Sequence, residues 1–307
     1  MTAFIQRRLL LAVPTVFAVS AAVFLMLHLI PGDPASIYLG DNLATPERLD
    51  AIRHEMGLDR PIYTQYLDFV GRALQGDLGR SLQNGRPVAL ELSERLPRTA
   101  ELAAAAFVVS VVFGLSLGIL SALRHNTWVD TFGMLVALVG VSMPIFWLGL
   151  LAILVFSIQL NWFPVTGQHG IASLVLPATV LGVVSSATLA RLVRSSMLEV
   201  LHHEYVTTAR AKGLRERVVV RRHAFKNALI PVVTVLGLEV GSLLSGAVIT
   251  ETVFARPGIG KLIVDSIQSK DFTVVQGGVL FVAVVYVVVN LAVDVSYGFL
   301  DPRIRVS

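Results

Sequence analysis

The stretch EYVTTARAKGLRERVVVRRHAFKNALIP, residues 204–231, decides the fold of this chain because it is basic and helix-forming yet lies between two apolar segments. From Arg191 to Lys226, nine Lys or Arg residues stand against three acids, a net charge of +6. The whole chain carries only +4. A basic segment that exceeds the charge of its own chain, placed between two segments that can cross a membrane, indicates a surface that contacts something.

The composition indicates a membrane protein. Of 307 residues, 54% are hydrophobic and 15% are charged, whereas a soluble domain has about 25% charged residues. The basic groups lie at the ends of apolar segments, so nucleic-acid binding is the poorer explanation of the charge. The chain has no Cys, which excludes disulfides, thiolate metal sites and a cysteine nucleophile. Six stretches are long enough to cross the bilayer as helices: about 9–30, 100–123, 132–160, 172–193, 228–250 and 276–299.

The distribution of positive charge predicts the orientation of these spans. With the amino terminus in the cytoplasm, fourteen Lys or Arg residues lie inside, including Arg7, Arg8 and the nine of the basic segment. The short outside loops then hold three, Arg256, Lys261 and Lys270. This bias predicts that both termini are cytoplasmic.

Three parts follow from this topology. Residues 1–30 form an amino-terminal transmembrane helix, 31–98 form an extracytoplasmic insert, and 99–307 form a five-helix core with a cytoplasmic loop at 194–227. The insert carries eight Arg residues against ten acids. Two interpretations of it stay open: a small cap packed on the membrane domain, or a docking surface for an external protein.

Two short helices are predicted within the insert. Thr45 and Pro46 have the residue types of a helix start, and Gly57 follows the end of that helix. A second helix runs from Pro61 towards Leu74, with apolar residues on one face.

The basic segment itself predicts a helix over Glu199–Lys212, because apolar residues recur there at three- and four-residue steps. Gly213 predicts the end of that helix. Three functions compete for this segment: an anchor on anionic lipid headgroups, a nucleic-acid surface, and a protein-docking surface. The small residues Ala209, Ala211 and Gly213 permit close approach of another protein and favour docking.

The segment resembles the cytoplasmic coupling loop, or EAA loop, of permease subunits of bacterial ABC importers. Its core TARAKGL, 208–214, followed by H-x-x-x-N-A-x-x-P, is similar to the peptide and nickel branch. At the E-A-A positions of the general consensus this chain has Thr207, Thr208 and Ala209, a departure that fits the peptide branch. Further similar pieces occur in order along the chain: RRLLLAVPT (7–15), HLIPGDPA (28–35), GDLGRS (76–81), SMPIFWLG (142–149), PVVTVLGLEVG (231–241), ETVFARPGIGKLIVDSI (251–267), QGG (276–278) and DPRIR (301–305).

The resemblance implies a six-span, all-helical type I ABC importer core of the methionine-permease kind in the bacterial inner membrane. It also implies a homologous second permease subunit, two ATP-binding subunits that carry ATP and Mg²⁺, an extracytoplasmic solute-binding protein, and a dipeptide, oligopeptide, glutathione or nickel solute. The residues that would transmit the ATPase movement are Glu204, Thr208, Ala209, Arg210, Lys212 and Gly213. Arg217, Arg221 and Arg222 are instead predicted to contact lipid headgroups.

No nucleotide site is expected in this chain. The sequence RPGIGKL, 256–262, is superficially similar to a P-loop, but Ala255 and Leu262 occupy positions that need Gly and Ser or Thr. We therefore assign no catalytic, cofactor-binding or metal-binding residue.

Glu239 is an acidic residue within the predicted span 228–250. It lies eight residues after Pro231, near mid-depth, where an ionised carboxylate costs about 2.5 to 3.5 kcal/mol or more. Two interpretations stay open: a protonated carboxyl buried between helices, or a group that lines the translocation pathway and meets a cation.

Two other classes of protein were weighed against the permease. An intramembrane serine protease is disfavoured because the chain has no Gly-x-Ser-x-Gly motif and Ser142 is followed by Met143 and Pro144. A stand-alone secondary carrier is disfavoured because six spans lack an evident second half.

Overall fold

The structure of the chain, a computed structural model, describes residues 2–29, 35–36, 45–55, 58–165 and 170–300. Two compact units form. The first consists of the described residues of Met1–Arg98 and Pro257–Val295, and the second of those of Thr99–Arg256 and Ser296–Ile304. The described residues form these helices in chain order: α1 (Thr2–Leu29), α2 (Pro46–Glu55), α3 (Ile62–Leu74), α4 (Val88–Leu123), α5 (Trp128–Ser142), α6 (Ile145–Gln159), α7 (Ala172–Leu201), α8 (Glu204–Ala211), α9 (Glu216–Val253), α10 (Ile259–Gln268) and α11 (Phe272–Leu300).

Five of the six predicted stretches are helical in their described residues, and the sixth, 132–160, is broken at Met143 and Pro144. Four described helices, α4, α7, α9 and α11, are long and apolar enough to cross a membrane. Helices α5 and α6 together would make a fifth span, and α1 contains the shorter apolar stretch Leu10–Leu25. The all-helical membrane fold predicted from the sequence is confirmed.

The prediction of one helix over 132–160 was wrong, because the chain bends by 108° between α5 and α6. Pro144 has no backbone N–H to continue a helix and holds the residue before it in an extended conformation. Met143 accordingly has φ −86° and ψ 129°. Beyond Ala152, α6 continues as a π-helix over Ile153–Gln159.

The first unit contains both helices predicted within the insert. Helix α2 begins at Pro46 and α3 runs from Ile62 to Leu74, as predicted, while Gly57 lies outside the described residues. Phe24 of α1 contacts Tyr66 and Phe69 of α3, with ring centroids 5.4 Å and 6.1 Å away. The insert is therefore packed against a predicted span through α3.

The turn between α3 and α4 is held to the start of α11. Ser81 Oγ donates to Asp271 Oδ2 at 2.5 Å, and the backbone N–H of Leu82 donates to Asp271 Oδ1 at 3.2 Å. Next to it, the first unit has an apolar core built by α4, α10 and α11: Val88, Leu92, Ile259, Leu262, Ile263 and Val274. The carboxylate of Asp271 thus fixes the turn over the unit's core.

In the second unit, α4 and α7 approach closely at glycine residues of α4. A Cβ added at Gly114 would lie 2.7 Å from Leu189 Cδ2, and one at Gly118 would lie 2.6 Å from the Ala190 carbonyl oxygen. Gly246 of α9 meets Leu181 of α7 in the same way, at 2.7 Å. Glycine permits this approach because it has no side chain.

Helix α4 enters the second unit at Thr99. Near this point, polar side chains join α4 to the carboxyl end of α9 and the residues that follow it. Thr99 Oγ1 donates to Glu251 Oε1 at 2.6 Å, and Arg256 Nη2 donates to Glu101 Oε2 at 2.5 Å. Glu251 is fully buried, so these hydrogen bonds satisfy polar groups that would otherwise be costly to bury.

Candidate functional site

Helix α8 carries the predicted coupling residues and is a separate short helix. The sequence predicted one helix over Glu199–Lys212, and this was wrong, because α7 ends at Leu201 and α8 begins at Glu204. Between them His203 is extended, with φ −68° and ψ 145°. The break lets α8 take its own direction at the junction of α7 and α9.

Two buried side chains hold α8 in place. Val206 and Ala209, three residues apart on one face, lie in the largest apolar cluster of the second unit. The cluster joins residues of α4, α7 and α9: Ala122, Leu189, Val193, Met197, Val200, Val219, Ala224, Ala228 and Val232. Helix α8 therefore shares one apolar cluster with the three long helices.

Five of the six predicted coupling residues lie on the surface, namely Glu204, Thr208, Arg210, Lys212 and Gly213. Ala209 does not: it is only 5% exposed and faces this chain's own core. Ala209 thus packs α8 on the core, and its predicted part in coupling stays a prediction. The exposed residues remain candidates for a direct contact with another subunit.

The turn after α8 depends on Gly213, as the sequence predicted. Its φ is +76°, a conformation that costs little only for glycine. The backbone N–H of Gly213 donates to the Arg210 carbonyl at 2.9 Å. A Cβ at Gly213 would meet no atom within 4 Å, so backbone conformation, and not crowding within the chain, requires glycine here.

Arg210 spans this turn. Its Nη2 and Nε donate to the two carboxylate oxygens of Glu216 at 2.7 Å and 3.1 Å. The hydrogen bonds to Glu216 raise the pKa of Arg210 above its ordinary value. Arg210 was predicted to contact a partner, and Glu216 was missed, because its position six residues further along makes sense only once the chain turns at Gly213.

A second set of hydrogen bonds ties α8 to α9. Asn227 Nδ2 donates to Tyr205 OH at 2.9 Å and to the His223 carbonyl at 2.9 Å. The ring of Tyr205 also stacks on that of His203, with centroids 5.7 Å apart. These contacts give the H-x-x-x-N pattern a structural role that the sequence analysis did not assign.

Helix α9 contains a short π-helical segment, Val219–Ala224, directly after its first three residues. Val219 and Ala224 are five residues apart and both are fully buried. A π-turn has a wider repeat than an α-turn, and it brings both side chains to the same apolar cluster. The basic residues Arg221 and Arg222 between them stay exposed.

An ion pair fixes α7 to the start of α5. Arg194 Nε and Nη2 donate to Asp130 Oδ1 and Oδ2 at 2.6 Å and 2.7 Å. The backbone N–H of Asn126 also donates to Asp130, at 3.1 Å. The sequence analysis counted Arg194 only as a positive charge, because 64 residues separate it from Asp130.

Glu239 lies inside the helical bundle of the second unit and is 8% exposed. Ser110 of α4 donates its hydroxyl hydrogen to Glu239 Oε1. Among the described residues, Oε2 has no hydrogen-bond partner. The structure thus gives this carboxyl one polar neighbour and leaves one oxygen available.

Residues 114–306 match the family "Binding-protein-dependent transport system inner membrane component" and residues 1–103 match its N-terminal counterpart, "Binding-prot-dependent transport system membrane comp, N-term". These matches cover most of the chain. The chain therefore belongs to the family of inner-membrane components of binding-protein-dependent transport systems.

Individual relatives agree over nearly full length. The di/tripeptide transport system permease protein DppB of Pseudomonas aeruginosa (strain UCBPP-PA14) is 45% identical, covering 99% of each chain. The glutathione transport system permease protein GsiC of Escherichia coli (strain K12) is 41% identical, covering 98% of each. The dipeptide transport system permease protein DppB of Alkalihalophilus pseudofirmus (strain ATCC BAA-2126 / JCM 17055 / OF4) is 40% identical, covering 99% of this chain and all of that one.

A solved structure shares the fold. The crystal structure of an amino acid ABC transporter with histidines matches with a TM-score of 0.54 and 17% identity, over 69% of this chain and 94% of that one. The fold is that of a type I ABC importer permease. The chain is a multi-pass inner-membrane protein and a component of a transport system.

Proposed function

We propose that this chain is the permease subunit of an ATP-driven importer of small peptides or a related solute such as glutathione. Relatives named for di/tripeptide, dipeptide and glutathione transport support this solute class. Their identities lie between 40% and 45%, so none of the three solutes is favoured over the others. Family membership removes the protease and the secondary carrier from consideration.

The mechanism is supported by one observation, that α8 has an exposed outer face and a buried inner face. Its outer face offers Glu204, Thr208 and Lys212, while Val206 and Ala209 embed its inner face in the cluster that joins α4, α7 and α9. A protein that pushes on the outer face must displace the long helices, because close-packed side chains transmit strain. We assign the outer face to an ATP-binding subunit.

A permease whose α8 contacts an ATP-binding subunit requires further subunits to form an importer. The importer would contain a homologous second permease, two ATP-binding subunits and an extracytoplasmic solute-binding protein, with ATP and Mg²⁺ held by the ATP-binding subunits. The amino terminus, the carboxyl terminus and α8 would face the cytoplasm, in line with the excess of Lys and Arg there. ATP hydrolysis outside this chain would then drive alternation of its spans.

Glu239 is our candidate for a pathway residue. An oxygen without a partner in the described structure, on a carboxyl within the bundle, suits a cation such as the ammonium group of a peptide. Glu239→Gln keeps the shape and removes the charge, so uptake of a peptide with a free amino group should fall. Unchanged uptake would remove the ion-pair role and leave Glu239 as a buried group that only packs between helices.

The test of the whole proposal is affinity purification combined with uptake. A tagged chain solubilised from its own membranes should bring down ATP-binding subunits and a second permease, and uptake of a labelled dipeptide should stop when ATP is depleted. Competition by unlabelled glutathione, oligopeptide or Ni²⁺ then identifies the solute. The absence of an ATPase together with uptake that survives ATP depletion would overturn the proposal.

A further inference from the structure

An apolar groove lies within the first unit, between α1, α3 and α11. Its volume is about 320 Å³. The walls include Val16 and Phe17 of α1, Val70 and Leu74 of α3, and Leu280 and Val284 of α11. The groove opens to the outside of the chain, since Phe17 is 51% and Leu74 is 83% exposed.

The polar group in the wall of the groove is already satisfied. Ser20 Oγ makes hydrogen bonds with the Phe17 carbonyl and with Tyr66 OH, each at 2.9 Å. No charged side chain is among the described residues that line the groove. A polar or ionic ligand would therefore lose its hydration without gaining partners, so the ligand must be apolar.

Two walls of the groove are formed by α1 and α11, which contain apolar stretches. Phe17 lies in the middle of the apolar stretch Leu10–Leu25 of α1, and Leu280 and Val284 lie in the middle of Phe272–Val293, which is long enough to span. These two walls therefore belong to apolar stretches that suit contact with lipid chains. On α1, exposed apolar residues continue from the groove through Val13 and Leu10.

Helix α3 adds a second apolar surface beside the groove. Tyr63, Leu67 and Leu74 are spaced by four and seven residues, which places them on one side of the helix. They are 67%, 64% and 83% exposed. The face that holds Phe69 is a different one and packs on α1, while the charged residues Asp68 and Arg72 are exposed. A helix with this pattern suits the boundary between lipid and water.

We propose that the groove binds an acyl chain of a membrane phospholipid and that α3 lies on the bilayer, with its Tyr63–Leu67–Leu74 face in lipid. This part of the predicted extracytoplasmic insert would then be a membrane-bound element packed on α1, in contrast to a docking surface for an external protein. The lipid contact fixes α3 against α1 and α11 from the outside. The proposal does not depend on which solute is transported.

Lipid contact can be measured because the chain has no native Cys. Leu67→Cys and Leu74→Cys would each carry one environment-sensitive fluorophore, in the full complex with cysteine-free partner subunits, reconstituted in nanodiscs. Arg72→Cys on the polar side of α3 is the matched control. Phospholipids with a nitroxide on the acyl chain quench a probe in lipid, and iodide quenches a probe in water.

We expect acyl-chain nitroxides to quench the probes at 67 and 74 several-fold more than the probe at 72, and iodide to show the reverse order. Strong iodide quenching at 67 and 74 would place this face in water and overturn the proposal. Quenching by neither agent would mean that a protein covers the face, which would also overturn it. Tyr63→Cys supplies a third position on the same face if either leucine variant fails to assemble.

Discussion

Arg210 and Glu216 form a bidentate ion pair that spans the turn after α8. The two donor–acceptor distances are 2.7 Å and 3.1 Å. The pair joins the last turn of α8 to the first turn of α9. Both side chains are substantially exposed, so the pair contributes only about 0–1 kcal/mol to stability. We expect the ion pair to hold α8 in its orientation relative to the first turn of α9.

The ion pair can be tested by charge reversal. Arg210→Glu or Glu216→Arg alone should reduce dipeptide uptake, because each places two like charges across the turn, while the amount of chain in the membrane stays close to normal. The double variant Arg210→Glu, Glu216→Arg should recover much of the lost uptake. If the double variant is no better than either single one, Arg210 acts through a partner subunit and not through Glu216.

Gly213 should tolerate Asn better than Ala. Its φ of +76° costs an alanine side chain about 1 kcal/mol, and Asn enters this conformation more readily. Uptake and the thermal stability of the purified complex should therefore fall in the order Gly213, Gly213→Asn, Gly213→Ala. Equal behaviour of the two variants would mean that a partner subunit excludes any side chain here, since the chain itself leaves the space open.

Val206 should matter for stability in proportion to its burial. Val206→Ala removes two methyl groups from the cluster under α8 and should cost on the order of 1–3 kcal/mol. Val218→Ala, at an exposed position on the first turn of α9, is the matched control. Thermal unfolding of the solubilised complex should show a lower midpoint for Val206→Ala alone. Equal midpoints would show that α8 is not anchored by this side chain.

The close approach of α4 and α7 predicts opposite effects for two Gly→Ala changes. At Gly118 the new methyl group would clash with the Ala190 carbonyl at 2.6 Å, and relieving this contact should cost about 1–3 kcal/mol. Gly71 in α3 has no atom within 4 Å of an added Cβ, so Gly71→Ala should be neutral or gain about 0.5–1 kcal/mol. The amount of folded chain recovered from membranes, and its unfolding midpoint, compare the two. A neutral Gly118→Ala would mean that α4 and α7 can separate without cost.

Much of this architecture could be predicted from the sequence because its signals are local. Long apolar stretches predict helices in a membrane, and glycine in the stretch TARAKGL predicts the left-handed turn that Gly213 adopts. Pro46 likewise marked the start of α2. Such features depend on a few neighbouring residues and do not require knowledge of distant contacts.

The features that were missed depend on contacts between distant parts of the chain. The inward position of Ala209 follows from the break at His202 and His203, which the helical spacing of apolar residues did not reveal. The π-turn follows from the need to bury both Val219 and Ala224. The partnership of Asp130 with Arg194 exists only because α5 and α7 pack together. Pro144 is an exception among the missed features, because it is a local signal. A proline at this position indicates a helix break, and the prediction of one helix over 132–160 did not include it.

The central claim is that the exposed face of α8 meets an ATP-binding subunit. The most direct measurement is photocross-linking from Thr208→Cys labelled with a benzophenone, in the assembled complex with cysteine-free partners, with Arg222→Cys as the control. The probe at 208 should become covalently joined to an ATP-binding subunit, and the joined complex should no longer transport peptide, while the probe at 222 should label lipid. A probe at 208 that labels only lipid or water, or that joins an ATP-binding subunit no more often than the probe at 222, would contradict the account.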